Sequence, residues 1–165
     1  MLVSFIIVAY NAAPVLPDIL RDLTAQDYDH GEMEILLVDS RSDDGTRAVF
    51  EKFQKSNRAD FQRVCVLDNP GRTLPRGWNV ALREARGDII LRVDAHTRIP
   101  ADFVRRNAED IGEGESICGG TVTSVLTGDS HWQRVLLMAA VIIVGGGILN
   151  HWVQKRRQKD YTGKR

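Results

Sequence analysis

The sequence predicts an α/β fold with a mostly parallel central sheet flanked by helices, and three observations point to it. Short apolar runs rich in branched residues recur along the chain, and such runs read as strands covered on both faces. Between them lie segments whose apolar residues fall at helical spacing, and strands alternating with helices build a parallel sheet sandwiched by helices. Finally, acidic and polar residues collect where the runs end, at Tyr10, Asn11, Asp39, Asp68, Asp94 and His96. In such sheets ligands bind outside the carboxyl ends of the strands.

The elements follow in order. Leu2 to Val8 (LVSFIIV) is the first strand. Pro14 is suited to opening a helix, on which Val15, Leu16, Ile19, Leu20 and Leu23 form one stripe. Glu34 to Val38 is the second strand; it ends in the polar loop Asp39 to Thr46 and leads to a helix carrying Val49, Phe50 and Phe53. Arg63 to Leu67 is the third strand, and the turn Asp68-Asn69-Pro70-Gly71 precedes a helix with Trp78, Ala81, Leu82 and Ala85 inward. Asp88 to Val93 is the fourth strand, stopping at Asp94-Ala95-His96. Pro100 begins a helix with Phe103, Ala108 and Ile111 inward, and Ser116 to Leu126 reads as a further strand.

With 165 residues, 43% hydrophobic and 27% charged, the composition is globular and excludes a disordered chain, a collagen and a coiled coil. Formal net charge is zero, so no overall field points to nucleic acid. The charge is nonetheless uneven: residues 152–165 sum to +5 and the preceding 151 to −5. Cys65 and Cys118 lie far apart in apolar stretches, which favours buried free thiols over a disulfide. Residues 1–20 show neither the basic start nor the cleavage site of a signal peptide.

The polar strand ends suit a ligand with donors to satisfy and a metal to hold. No glycine-rich phosphate cradle follows the first strand, where Ala9-Tyr10-Asn11-Ala12-Ala13 stands instead. A diphosphate would then be neutralised by a bound cation or by an arginine such as Arg72. Asp94 and His96, two apart across a strand end, would point to the same side and offer oxygen and imidazole ligands to Mn²⁺ or Mg²⁺. Each residue also has an ordinary use. Tyr10 suits a half-buried position, Asp39 a turn, Asp43 or Asp44 a helix cap, and Asn79 a local hydrogen bond. Asp-x-His is by itself an ordinary polar turn. The ordered set carries the signal.

That set resembles the inverting family 2 glycosyltransferases of the Rossmann-like GT-A fold. The matching stretches are Val3 to Asn11, Leu37-Val38-Asp39-Ser40 through Asp43-Asp44-Gly45-Thr46, Asn69-Pro70-Gly71-Arg72, Asn79 through Ala81 and Ala85 to Gly87-Asp88, and Leu91 to His96. Their wording is most similar to enzymes of the succinoglycan type, which build bacterial exopolysaccharide on a lipid carrier. The resemblance implies a nucleotide-sugar site formed by Ala9, Tyr10, Asn11, Asp39, Arg72 and Asp94. Tyr10 would stack on the base, Asp39 would accept a hydrogen bond from it in a contact that favours uracil, and Asp94 would touch the ribose or the metal. His96 takes the last position of the usual Asp-x-Asp signature, a departure that still leaves Asp94 and His96 as the metal pair. The implied reaction transfers a sugar with inversion from a UDP-sugar to a polysaccharide or lipid-linked acceptor. Its general base belongs to an acidic acceptor motif that is not found here, and neither Asp129 nor Asp160 replaces it. No catalytic base is therefore assigned.

The expected organisation is a donor-binding domain over 1–128 and an apolar helix plus basic tail over 129–165, the chain reading as the donor-binding part of a longer enzyme. Val135 to Leu149 is an uncharged run of 15 residues, short of the roughly 20 a spanning helix needs. A buried helix is preferred there; the alternative is a membrane-associated helix that, with flanking Trp132 and Trp152 and the basic tail, meets the cytoplasmic face of the inner membrane. The expected location is cytoplasmic. The competing functional expectation is a nucleotide-sugar-binding module without transferase activity of its own. A nucleotidyltransferase would want a glycine- and base-rich loop after the first strand, which is absent.

Overall fold

A computed structural model describes residues 1–119. Its elements run β1 (Val3–Ala9), α1 (Leu16–Thr24), a 3-10 turn (His30–Glu32), β2 (Met33–Asp39), α2 (Thr46–Asn57), β3 (Arg63–Asp68), α3 (Leu74–Glu84), β4 (Ile89–Asp94) and α4 (Phe103–Gly112). The four strands form one sheet in the order β3-β2-β1-β4, every neighbouring pair parallel. All residues of β1 and β2 are buried, as expected of central strands rich in branched side chains. In β4 burial alternates, Leu91 and Val93 facing the core while Ile90 and Arg92 are exposed.

Two apolar layers sandwich the sheet. On one face Phe5 and Ile7 of β1 pack with Leu16, Ile19 and Leu23 of α1, Phe50 of α2 and Val104 of α4. On the other, Ile6 and Val8 pack with Leu36, Val38 and Ala81, flanked by Trp78 and Val80 of α3. The chain runs outward from β1 through β2 to β3, then returns over the opposite face to place β4 on the far side of β1. The point where the order reverses, between β1 and β4, is where an open α/β sheet leaves a crevice at its carboxyl edge.

Several local expectations are corrected. α1 starts at Leu16 with Pro17 in its first turn, not at Pro14, and Val15 is exposed just outside it. A proline fits either place, but residues 13–15 are held in a turn by the Val15 and Leu16 amides donating to Ala12 C=O at 3.0 and 3.1 Å. Leu82 is 49% exposed, because α3 meets the sheet through its small residues Gly77 and Ala81. A Cβ on Gly77 would stand 2.5 Å from Val8 Cγ1, so this close approach requires glycine. α4 begins at Phe103, and Val104, not Phe103, is its most buried apolar residue. Cys65 and Cys118 are free but only half-buried, and Cys118 lies outside any strand, with its Sγ 3.2 Å from Asn107 Oδ1. Residues 116–119 form no strand; the rest of the Ser116–Leu126 expectation, the 128/129 boundary and the 135–149 run lie outside the described residues. Among the described residues no helix is long and apolar enough to cross a membrane.

Candidate functional site at the carboxyl edge of the sheet

The parallel register brings the strand-end residues level: Ala9 pairs with Asp39, Asp39 with Asp68, and Val8 with Asp94. Three loops are then tied to this edge. Ser40 N–H donates to Ala9 C=O at 2.9 Å and Asn69 N–H to Asp39 C=O at 2.8 Å. The fully buried Asn69 donates from Nδ2 to Ser40 Oγ at 2.9 Å and to Thr73 C=O at 3.0 Å. Asp39 itself is buried, and its Oδ1 accepts the Ser42 amide at 3.2 Å. Among the described residues no donor reaches its Oδ2.

The loop after β1 is zipped to the loop after β2. Asn11 N–H donates to Ser42 Oγ at 3.0 Å, its Nδ2 donates to Asp43 Oδ1 at 2.8 Å, and its Oδ1 accepts Asp43 N–H at 3.1 Å. Ala12 and Ala13 amides donate to Thr46 Oγ1 and Asp44 Oδ2 at 2.8 and 2.9 Å. The Thr46 hydroxyl, burial acting against it, and the Ala13 and Thr46 amides together hold the Asp44 carboxyl below its ordinary range. Asp44 thus closes the start of α2, while Asn11 uses its side chain to lock the two loops. Among the described residues the non-glycine residues with left-handed backbone are Asn11 (φ 47°), Arg41 (φ 59°) and Arg72 (φ 57°), all on the loops of this edge. Such backbone is sparsely populated and persists where neighbours over-determine it, often at working sites.

Tyr10 and Arg72, 62 positions apart, meet across the edge. Tyr10 is half exposed; Arg72 Nη2 donates to its hydroxyl at 3.0 Å, and the guanidinium carbon lies 5.3 Å from the ring centroid. Asp94 ends β4 half-exposed, with Arg92 Nη2 at 3.8 Å from its Oδ1. His96 is exposed, but the strand stops at Asp94 and residues 95–96 form a turn. The alternation that would put both side chains on one side therefore does not extend to His96, a correction to the spacing argument. Among the described residues no group of three or more His, Cys, Asp or Glu side chains is arranged to hold a metal. Asp68, also level with the edge, is exposed and 3.9 Å from Arg41 Nε. Asn79 is exposed on α3.

Sequence reasoning missed the residues that hold this edge in shape. Arg98 grips Asp22 of α1 with Nε and Nη2 at 2.6 and 2.8 Å, and Ile99 N–H adds a third bond at 3.1 Å. Arg98 is the main cause that keeps the Asp22 carboxyl below its ordinary range. This clamp anchors the chain two residues after His96. Ser40, Asn69 and Thr46 were likewise unassigned. Each lies within a stretch that carries the family resemblance and adjoins a turn beside a strand end, but neither signal gives it a role of its own.

A family model described as Glycosyl transferase family 2 matches residues 4–164. The succinoglycan biosynthesis protein ExoA of Rhizobium meliloti (strain 1021) is 35% identical over 130 residues, 73% of this chain and 38% of ExoA. The structure of S. aureus TarS 1-349 in complex with UDP superimposes with a TM-score of 0.58 and 31% identity, covering 68% of this chain and 32% of that one. The mannosyltransferase PcManGT from Pyrobaculum calidifontis, solved with GDP-Man and Mn²⁺, gives a TM-score of 0.59 and 30% identity over 65% of this chain and 31% of its own. Among the curated relatives it matches most strongly, the chain spans between 19% and 49% of their length.

Proposed function

This chain belongs to glycosyl transferase family 2 and has the GT-A fold, and on that premise we propose that its carboxyl edge is the donor site of an inverting, UDP-sugar-dependent transferase. The observation that carries the reading is that Tyr10, Asp39, Arg72 and Asp94, from four separate segments, all stand at the carboxyl edge of the sheet, with Tyr10 and Arg72 in contact. Tyr10 offers a half-exposed ring on which the base stacks, with Ala9 and Asn11 fixing its loop. Asp39 stands beside it, buried, with one carboxylate oxygen free of protein donors to accept a hydrogen bond from the base. The UDP bound by TarS supports a uridine nucleotide, and its 31% identity makes that support specific to the family rather than to the fold alone.

By the chemistry of their donor atoms, Asp94 and His96 are the residues that would hold a divalent cation. Among the described residues neither side chain has a hydrogen-bond partner, the nearest cation to Asp94 is a guanidinium at 3.8 Å, and an oxygen with an imidazole nitrogen suits Mn²⁺ or Mg²⁺. Such an ion supplies charge neutralisation for the leaving diphosphate. The Mn²⁺ held by the mannosyltransferase supports this part. In the reaction, an acceptor hydroxyl oxygen bonds to the anomeric carbon from the face opposite the diphosphate, whose bond to that carbon breaks, and a general base takes the hydroxyl proton. No residue among 1–119 is assigned as that base. The reading includes exopolysaccharide synthesis on a saccharide or lipid-linked acceptor, on the cytoplasmic side; the likeness to ExoA, a succinoglycan biosynthesis protein, supports the polysaccharide part of it.

Calorimetric titration of UDP in Mn²⁺ tests the donor site. Wild type binds, and Asp39→Ala weakens binding roughly ten-fold or more, since a hydrogen bond to a charged group is worth about 1.5–3 kcal/mol. Equal binding by the variant, or none by either protein, overturns the proposal.

A further inference from the structure

The Arg72–Tyr10 contact covers one face of the ring that the donor-site reading assigns to the base. Guanidinium and aromatic ring are 5.3 Å apart, centre to centroid, and an Nη2–H to hydroxyl bond of 3.0 Å holds Arg72 there. A planar cation over the ring excludes a planar base from the same face. The backbone beneath Arg72 is not free to carry it away. Its amide donates to Asn69 C=O at 3.1 Å, Thr73 N–H donates to Gly71 C=O at 2.8 Å, and Asn69 is fully buried. The side chain is long, exposed and, among the described residues, has no carboxylate partner. A tied backbone and a long, exposed, charged side chain are what a residue needs to exchange one partner for another without rebuilding its loop.

We infer that Arg72 is a self-ligand of the donor site: it covers a stacking face of Tyr10 until a nucleoside diphosphate arrives, and then leaves the ring for the diphosphate. The inference rests on the donor-site reading above and adds to it an internal competitor. The consequence is a selectivity filter. A nucleoside without phosphates must displace Arg72 and gives it nothing in return, whereas a nucleoside diphosphate displaces it and supplies the anion that receives it. The exchange favours charged donors over free nucleosides at a site whose stacking surface alone would accept either.

Titrating the full 165-residue chain with uridine and, separately, with UDP in Mn²⁺ tests this, because the two ligands move in opposite directions. In Arg72→Ala, uridine binding tightens about two- to five-fold, the worth of an exposed cation–π contact, while UDP binding weakens several-fold from loss of a charge-assisted partner. Arg72→Lys keeps the charge but stacks and forks poorly, so uridine tightens while UDP stays within a few-fold of wild type. Alanine and lysine carry the same Cβ as arginine, so the left-handed backbone at this position is no more strained in either variant. If wild type binds UDP but uridine affinity in Arg72→Ala is unchanged or weaker, the base stacks elsewhere and the inference fails alone. If wild type binds no UDP, the donor-site reading fails and takes the inference with it.

Discussion

At the residue scale, the metal pair is the most exposed part of the proposal and can be tested apart from the rest. Asp94 sits at a strand end facing β1, while His96 follows in a turn whose far side is clamped by Arg98 on Asp22. Strand alternation stops at Asp94, and the nearest side-chain anchor after His96 is this clamp, which local spacing does not reveal. Loss of even an outer partner of a metal ligand commonly costs ten- to hundred-fold in affinity. Mn²⁺ titration in saturating UDP is therefore expected to show at least a ten-fold weakening in Asp94→Ala and in His96→Ala. His96→Asp replaces an imidazole with a harder oxygen ligand, so it should keep binding and raise the ratio of Mg²⁺ to Mn²⁺ affinity. Unchanged Mn²⁺ affinity in both alanine variants would remove the metal role from this pair.

The elements themselves were largely legible, because branched apolar runs and helical stripes are dense in this chain. Four strands and four helices stand where periodicity put them, shifted by at most three residues. What periodicity could not show is what depends on partners distant in sequence. Glu34 opens the expected second strand as a charged residue, and in the structure it is 1% exposed. It is reached by Ser4 Oγ, by the Arg86 and Gly87 amides, and by Arg63, with Nη2 at 2.8 Å. This cluster lies at the amino edge, opposite the donor site, and fixes the crossing from α3 into β4. Gly87 is its hinge: a Cβ there would stand 2.5 Å from the Ser4 backbone nitrogen and 2.9 Å from Leu2 C=O. Backbone cannot step aside as a side chain can, so Gly87→Ala should destabilise the fold by about 1–3 kcal/mol. Chemical denaturation measures it, and a loss under a few tenths of a kcal/mol would show that the crossing is looser than this packing implies. The donor-site residues were legible for the opposite reason. Tyr10, Asp39 and Asp94 each lie at or just beyond the end of an apolar run, so topology alone brings them together, whereas Asn69 and Ser40 show their importance only once buried.

At the scale of the whole molecule, the same two buried carboxylates couple the fold to pH. Burial alone would raise the Glu34 carboxyl; the Arg86 amide, the Ser4 hydroxyl and Arg63 outweigh it, and the net displacement is downward. The Asp22 carboxyl is displaced downward as well, chiefly by its hydrogen bonds from Arg98 and against the opposing effect of burial. A carboxylate whose pKa is lower folded than unfolded binds fewer protons in the native state, so its stabilisation is complete above the unfolded value near 4. It is lost as pH falls through the folded value. Asp22 ties α1 to the segment entering α4, and Glu34 ties β2 to the turn entering β4. Acid therefore removes both ties. The unfolding temperature should stay level near neutral pH and fall steeply below about pH 4. Glu34→Gln should be less stable than wild type at pH 7, because it takes from Arg63 its buried charge partner and leaves only Glu84 at 3.9 Å, and should lose less on acidification. Asp22→Asn should behave the same way with respect to Arg98. Parallel acid profiles for wild type and both variants would show that these ties do not set the acid limit of the fold.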